Sequence, residues 1–238
     1  MSTSSVWLSY SLQDLLMFGP EAYLRLYVRI NQDFWPWQWP VLLLGLLVPV
    51  LLQRPERGLR RLAWFTIAGA WCCSGVGFLM EYYSQINWPA MGFGWAFVAQ
   101  GVLFAFIGLR AGEPVSKVQR RGAFASLWWL AILLLPGVTV LEYGSARAVA
   151  LFGLAPGVTV AATNLLPGLL NQRLSWLLVP IPLLWMAFSA ATFWVLQTYW
   201  LLAVPVAGLL MLVLGFWLSP SPAQSPGLRS ARHDPARR

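Results

Sequence analysis

The sequence predicts an all-α protein, a polytopic bundle of about seven transmembrane helices with the N-terminus outside and the C-terminus cytoplasmic. Three observations predict it. Seven apolar stretches approach the roughly 20 residues that a bilayer-crossing helix needs. Only 10% of residues are charged, against about 25% in a soluble domain, so polar groups cannot cover a surface of this size. The basic residues gather in alternate connections between the apolar stretches.

Taken in order, residues 1–34 form an outer-face segment. Its first 17 residues lack the basic start and apolar run of a secretory signal. Residues 20–30 predict an amphipathic helix rather than a span. Pro20 and Glu21 suit a first turn, where a missing N–H is harmless and a carboxylate meets the positive dipole end. Tyr23, Leu26, Tyr27 and Ile30 recur at three and four, with Arg25 and Arg29 on another face. Such a helix either lies in the membrane surface or packs over the bundle as a lid. The membrane domain, residues 35–218, holds spans predicted at 35–52, 62–80, 91–109, 123–141, 149–170, 174–194 and 200–218. The last two are joined by a short turn, which leaves a re-entrant hairpin as an alternative there. Residues 219–238, rich in Ser, Pro and Arg, predict a disordered basic cytoplasmic tail.

Orientation follows from charge. Arg54, Arg57, Arg60, Arg61, Arg110, Lys117, Arg120, Arg121, Arg173 and the four tail arginines fall on one side, thirteen in all. Arg25, Arg29 and Arg147 fall on the other. The positive-inside rule places the thirteen in the cytoplasm of a cell membrane, with a bacterial inner membrane expected. Trp35, Trp37, Trp39, Trp88, Trp194 and Trp200 cluster at the predicted outer ends, and Trp64 and Trp217 at the inner ends, as an aromatic belt.

The same residues exclude much chemistry. The single histidine, His233, lies in the tail, which removes bis-histidine haem and histidine-based metal sites. No nucleophile elbow, P-loop or dinucleotide fingerprint occurs. No charged residue sits in the middle third of a span, which disfavours ion-coupled carriers. Cys72 and Cys73 are adjacent in one span. They read as small apolar residues rather than a metal relay, because neighbours point about 100° apart on a helix. No catalytic residue, metal or cofactor is expected. The partners expected are the lipid bilayer, a small-molecule ligand and another membrane protein, and not nucleic acid.

Two features carry candidate chemistry. Glu81-Tyr82 and Glu142-Tyr143 end the second and fourth spans on the outer side. Paired carboxylates with phenols suit a cation, an amine or acid–base work, although each carboxylate could simply solvate a helix end. The pentapeptide PGVTV occurs twice, at 136–140 and 156–160. Its proline and glycine (Pro136, Gly137, Pro156, Gly157) predict helix breaks, whose freed backbone groups the threonine can partner. Broken helices often line ligand sites. Glu142, Thr159 and Asn164 could then share an outward-opening polar pocket. Tolerated kinks and close packing of small residues account for the same pattern.

The run FGPEAYLRLYVRIN at 18–31, then Trp35-Pro36 and Gln38, Ile86-Asn87, Pro89, Pro136, Phe152-Gly153, Pro156 and Thr159, resembles a bacterial family of uncharacterised multi-span membrane proteins. Its members often carry the label of transporter permease. The similarity covers most of residues 18–215 and implies a location and a topology. The family's fifth-span motif is closer to Pro-Cys-Pro-Thr-Thr, whereas this chain has Pro156-Gly157-Val158-Thr159, and a histidine near the end of the second span is replaced around Phe78-Leu79. The readings that follow are a small-molecule permease or membrane binding protein, a non-catalytic accessory subunit of a membrane complex, and a membrane-embedded enzyme using Glu81 and Glu142.

Overall fold

A computed structural model describes residues 18–110, 121–170 and 172–218, all of them helix or connection. The tail and the first 17 residues lie outside the described residues. The helices in chain order are α1 (Pro20–Asp33), α2 (Gln38–Leu52), α3 (Arg57–Cys73), α4 (Pro89–Arg110), α5 (Arg121–Tyr143), α6 (Pro156–Thr163), α7 (Gln172–Leu178), α8 (Pro180–Val195) and α9 (Ala203–Trp217). Short 3₁₀ turns link several of them.

Among the described residues, five stretches are long and apolar enough to cross a membrane: Arg57–Gln85, Pro89–Arg110, Gly122–Tyr143, Leu174–Val195 and Tyr199–Trp217. Helices α1 and α2, bent by 98° at the break between them, pass the same test only together, so the number is up to six if that pair is one broken span. The last two stretches lie within a residue or so of the predicted sixth and seventh spans. The expected span at 149–170 takes a different form. Gly153 adopts a positive φ of 83°, a conformation that glycine reaches without strain. Pro156 follows, and proline clashes with the carbonyl four residues back, so it starts a helix instead of continuing one. The result is an eight-residue α6, too short to cross by itself.

The segment 149–170 nevertheless runs through the middle of the bundle. Every residue from 152 to 168 is buried except the half-buried Gly157. It travels beside α9 in the same direction. Gly157 meets Val204, Asn164 meets Gly208, and Gly168 meets Gly215. Irregular backbone at membrane depth survives only where protein buries it and partners its polar groups.

Tight helix contacts form the rest of the frame. Gly94, Gly101 and Gly108 recur at every seventh residue of α4 and face α3. A Cβ on them would lie 2.5 Å from Met80, 2.6 Å from Cys72 and 2.8 Å from Trp64. Small residues at one face let two helices approach closely. Opposite Gly94, α3 runs on into a π-helical turn, Ser74–Met80. Pro49 lies inside α2 and has no N–H for the carbonyl of Gly45. The indole of Trp128 donates to that carbonyl at 2.9 Å, and Trp129 donates to Leu46 at 2.9 Å, tying α5 to α2. The core is strongly aromatic, built on Trp64, Trp71, Trp128, Trp185, Phe97 and Phe104. Trp64 was expected in the inner belt. It is buried and stacks on Phe104 instead, while Trp217 is exposed.

At 14 residues the helix α1 is too short to cross a membrane by itself, and its apolar face turns to the bundle. Tyr23, Leu26, Tyr27 and Ile30 are buried against the bundle. Of the two alternatives open to an amphipathic helix, it is the one packed over the bundle end. Its surface ion pairs, Glu21–Arg25 at 3.6 Å and Arg29–Asp33 at 3.8 Å, are exposed and add little.

Candidate functional site

The predicted pocket residues occupy the Glu142 end and the centre of the bundle, but no hydrogen bond joins any two of the six among the described residues. Glu142 accepts the backbone N–H of Trp200 at 3.0 Å. That N–H belongs to the first turn leading into α9, so the carboxylate caps a positive helix end. Tyr143 packs on the core and its hydroxyl is buried without a partner among the described residues. Tyr82 donates to Asp33 at 2.6 Å and lies under the Arg29 guanidinium, 5.3 Å from the ring centre. This binds the end of α3 to the end of α1. Glu81 is exposed, and its backbone carbonyl accepts from Gln85. The Glu142 carboxylate is thus engaged locally, whereas at Glu81 the group that is engaged is the backbone carbonyl.

Thr159 is fully buried and has three partners. It accepts from the Gly153 N–H at 2.9 Å, donates to the Ala155 carbonyl at 2.9 Å, and lies 3.1 Å from the Ser74 hydroxyl. Thr163 continues the pattern, bonding the Thr159 carbonyl at 2.8 Å and accepting from the Trp71 indole at 3.1 Å. Asn164 donates to the Gly208 carbonyl at 2.9 Å, and its own carbonyl oxygen is buried without a partner among the described residues.

The two copies of the pentapeptide differ in backbone. Pro156 and Gly157 start α6, whereas Pro136 and Gly137 lie inside α5, which continues through them. The threonine of the first copy supports the proline locally. Thr139 bonds the Pro136 carbonyl at 2.8 Å and accepts the Ala150 N–H at 3.1 Å.

A small, largely enclosed cavity, about 10 Å³ to the centre of a water molecule, lies between α1, the unwound segment and α8. That is about the space one water needs. Tyr23, Tyr27, Thr139, Ser189 and Trp185 give it polar lining, and no charged side chain lines it. The Tyr23 and Tyr27 hydroxyls are 3.0 Å apart. The Trp185 indole N–H is buried with no partner among the described residues. Of the predicted site residues, only Gly157 borders this cavity.

Reading the sequence for carboxylates and helix breaks missed four of these residues. Tyr23 and Tyr27 counted as an apolar stripe, although their i, i+4 spacing also brings two phenols together. Asn31 follows that stripe directly, and its amide grips the Arg147 and Val149 carbonyls at 3.0 and 2.8 Å. Ser74 gave no local signal, because its role depends on the π-helical turn. Cys72 is half-buried against Gly101 and Cys73 is exposed, both with free thiols.

Among the described residues, an all-helical bundle with five to six apolar helices of membrane-crossing length around a buried, broken segment is consistent with a multi-span membrane protein. The chain belongs to DUF6064, a family of unknown function, whose profile matches residues 20–220. No curated protein and no solved structure matches it.

Proposed function

We propose that the protein is a small-molecule permease or membrane binding protein whose site is the chamber beneath α1, here closed. The observation that carries this reading is the chamber: a largely enclosed space lined by four hydroxyl side chains and an indole N–H with no partner among the described residues, roofed by a helix too short to cross a membrane alone. The discontinuous segment 149–170 forms another wall, as in carriers whose sites sit at broken helices. The uncharged lining favours a small, neutral, polar ligand, since an unpaired charge would be costly there. Opening requires α1 to move. We place the chamber on the outer side of a bacterial inner membrane, with the C-terminus cytoplasmic. The distribution of arginine supports this, as do the exposed Trp35, Trp37, Trp39, Trp88, Trp194 and Trp200.

Cysteine accessibility in whole cells tests both the site and its orientation. In a Cys72→Ala, Cys73→Ala background, Trp88→Cys reacts with a membrane-impermeant maleimide added outside. Ser189→Cys in the chamber reacts slowly from the same side. If Ser189→Cys labels only after denaturation, the chamber does not open. If Trp88→Cys labels only after permeabilisation, the orientation is reversed.

A second reading, a non-catalytic accessory subunit, is favoured by the structural use of Glu142, Tyr82 and Thr159. A stoichiometric protein partner retained through gentle solubilisation would support it.

A further inference from the structure

At the opposite end of the bundle, the last turn of α2 and the first turns of α5 enclose an open groove of about 460 Å³. One part of its lining is apolar, with Val50, Ala125 and Trp129. The other is polar, with Gln53, Arg54 and Ser126. We propose that this groove binds the headgroup of an anionic phospholipid. The inference does not depend on the chamber beneath α1.

Depth supports it first. Further into the bundle along the same two helices, Leu43, Leu44 and Leu47 on α2 and Leu130, Leu133 and Leu134 on α5 are exposed, as residues facing acyl chains are. At the groove the exposed side chains become Trp129, Arg54 and Ser126, an interfacial aromatic beside polar groups. The groove thus sits where hydrocarbon gives way to headgroups. Its apolar wall meets the upper acyl chains and its polar rim meets the phosphate.

Charge supports it second. Residues 53–61 carry four arginines against the single acid Glu56. A phosphate accepts hydrogen bonds from guanidinium, amide and hydroxyl, the three groups on this rim. The zwitterionic choline headgroup would bring its ammonium towards the same arginines.

The groove is also built on fixed backbone. Arg60 is buried and donates to the carbonyls of Arg54 and Pro55, which pins the Arg54 backbone at the groove mouth. The Trp129 indole is anchored on the Leu46 carbonyl and bridges the two helices along the groove. The Arg54 side chain itself is exposed, so replacing it does not disturb the fold.

The test titrates the purified full-length protein in detergent with phosphatidylglycerol or phosphatidylcholine of identical acyl chains, and counts bound lipid by native mass spectrometry. The expected result is one phosphatidylglycerol retained about fivefold more than phosphatidylcholine, the factor one basic residue near an anionic headgroup is worth. Arg54→Gln brings that ratio close to one, Arg54→Lys keeps it, and Arg57→Gln, outside the groove, leaves it unchanged. Equal retention of the two lipids by the unaltered protein overturns the proposal. Undiminished preference in Arg54→Gln overturns it as well.

Discussion

Thr139 and Thr159 hold the same place in two identical pentapeptides, and each accepts a backbone N–H from the same unwound stretch: Ala150 donates to Thr139 and Gly153 to Thr159. Neither donor lies in a helix, and both are buried. In a membrane such an N–H has no water to turn to, and an unpaired one costs several kcal/mol. The repeat thus clamps the unwound stretch from two sides, once from within α5 and once from the start of α6. Leu154 and Ala155 complete the stretch by turning back on the Leu151 carbonyl, at 3.1 and 2.7 Å.

Thr159→Val keeps the shape of the side chain and removes its hydroxyl. It leaves the Gly153 N–H and the Ser74 hydroxyl without their partner, a loss of about 2 kcal/mol. For a protein of this size that corresponds to a fall in Tm of about 4–8 °C. Thr159→Ser retains most of the stability. Thr139→Val loses less, since only one backbone donor is orphaned. Thermal unfolding in detergent, followed by the loss of monodisperse protein, gives the order. A Thr159→Val variant as stable as the parent would show that the unwound stretch does not need this clamp.

The contact between the segment 149–170 and α9 predicts a second ranking. A Cβ on Gly168 would lie 1.9 Å from the Gly215 carbonyl oxygen, and one on Gly215 would lie 2.7 Å from that of Leu165. These are backbone contacts, so no rotamer relieves them. Gly168→Ala and Gly215→Ala must push the segment off α9, at about 1–3 kcal/mol each. Gly137→Ala is the contrasting case. It lies inside α5 with nothing within 4 Å of the new Cβ, and alanine there gains about 0.5–1 kcal/mol over glycine. The same heating assay separates the three variants, and equal stability for Gly137→Ala and Gly168→Ala would refute the close approach.

How much of this was legible in the sequence depended on the range of the interaction. The long spans were legible because composition and length determine them within each stretch. The helix α1 was legible through its spacing of three and four and through Pro20. Pro156 announced a break, but the sequence did not say that Pro136, in the same pentapeptide, would stay inside a helix. That difference depends on what each copy meets: α5 continues on both sides of Pro136, whereas the chain has already left the α-helix at Gly144, with a φ of 65°, and runs through irregular backbone to Pro156. The carboxylates were ambiguous in the sequence, because an interfacial Glu carries the same signal whether it awaits a ligand or caps a neighbour. The partner of Glu142, Trp200, is remote in sequence. The tyrosine chamber was hidden for a related reason, since its hydroxyls belong to residues that also serve as the apolar face of α1.

Asn31 predicts how α1 is released. Its amide reaches two carbonyls, those of Arg147 and Val149, just where the chain enters the unwound segment. The Tyr82–Asp33 bond and the Arg29 guanidinium over the Tyr82 ring also tie this end of α1. Asn31→Ala removes two hydrogen bonds, about 1.4 kcal/mol in all, and should raise amide exchange across Pro20–Asp33 about tenfold. The buried apolar face of α1 is unchanged, so the helix stays docked most of the time and exchange in α4 and α9 stays as it was. Hydrogen–deuterium exchange read by peptide mass measures this directly. Faster exchange confined to α1 makes Asn31 the latch of the roof above the tyrosine chamber. Faster exchange throughout the bundle would mean that α1 is an integral part of the core and not a movable cover, and the chamber would then have no route to open on that side.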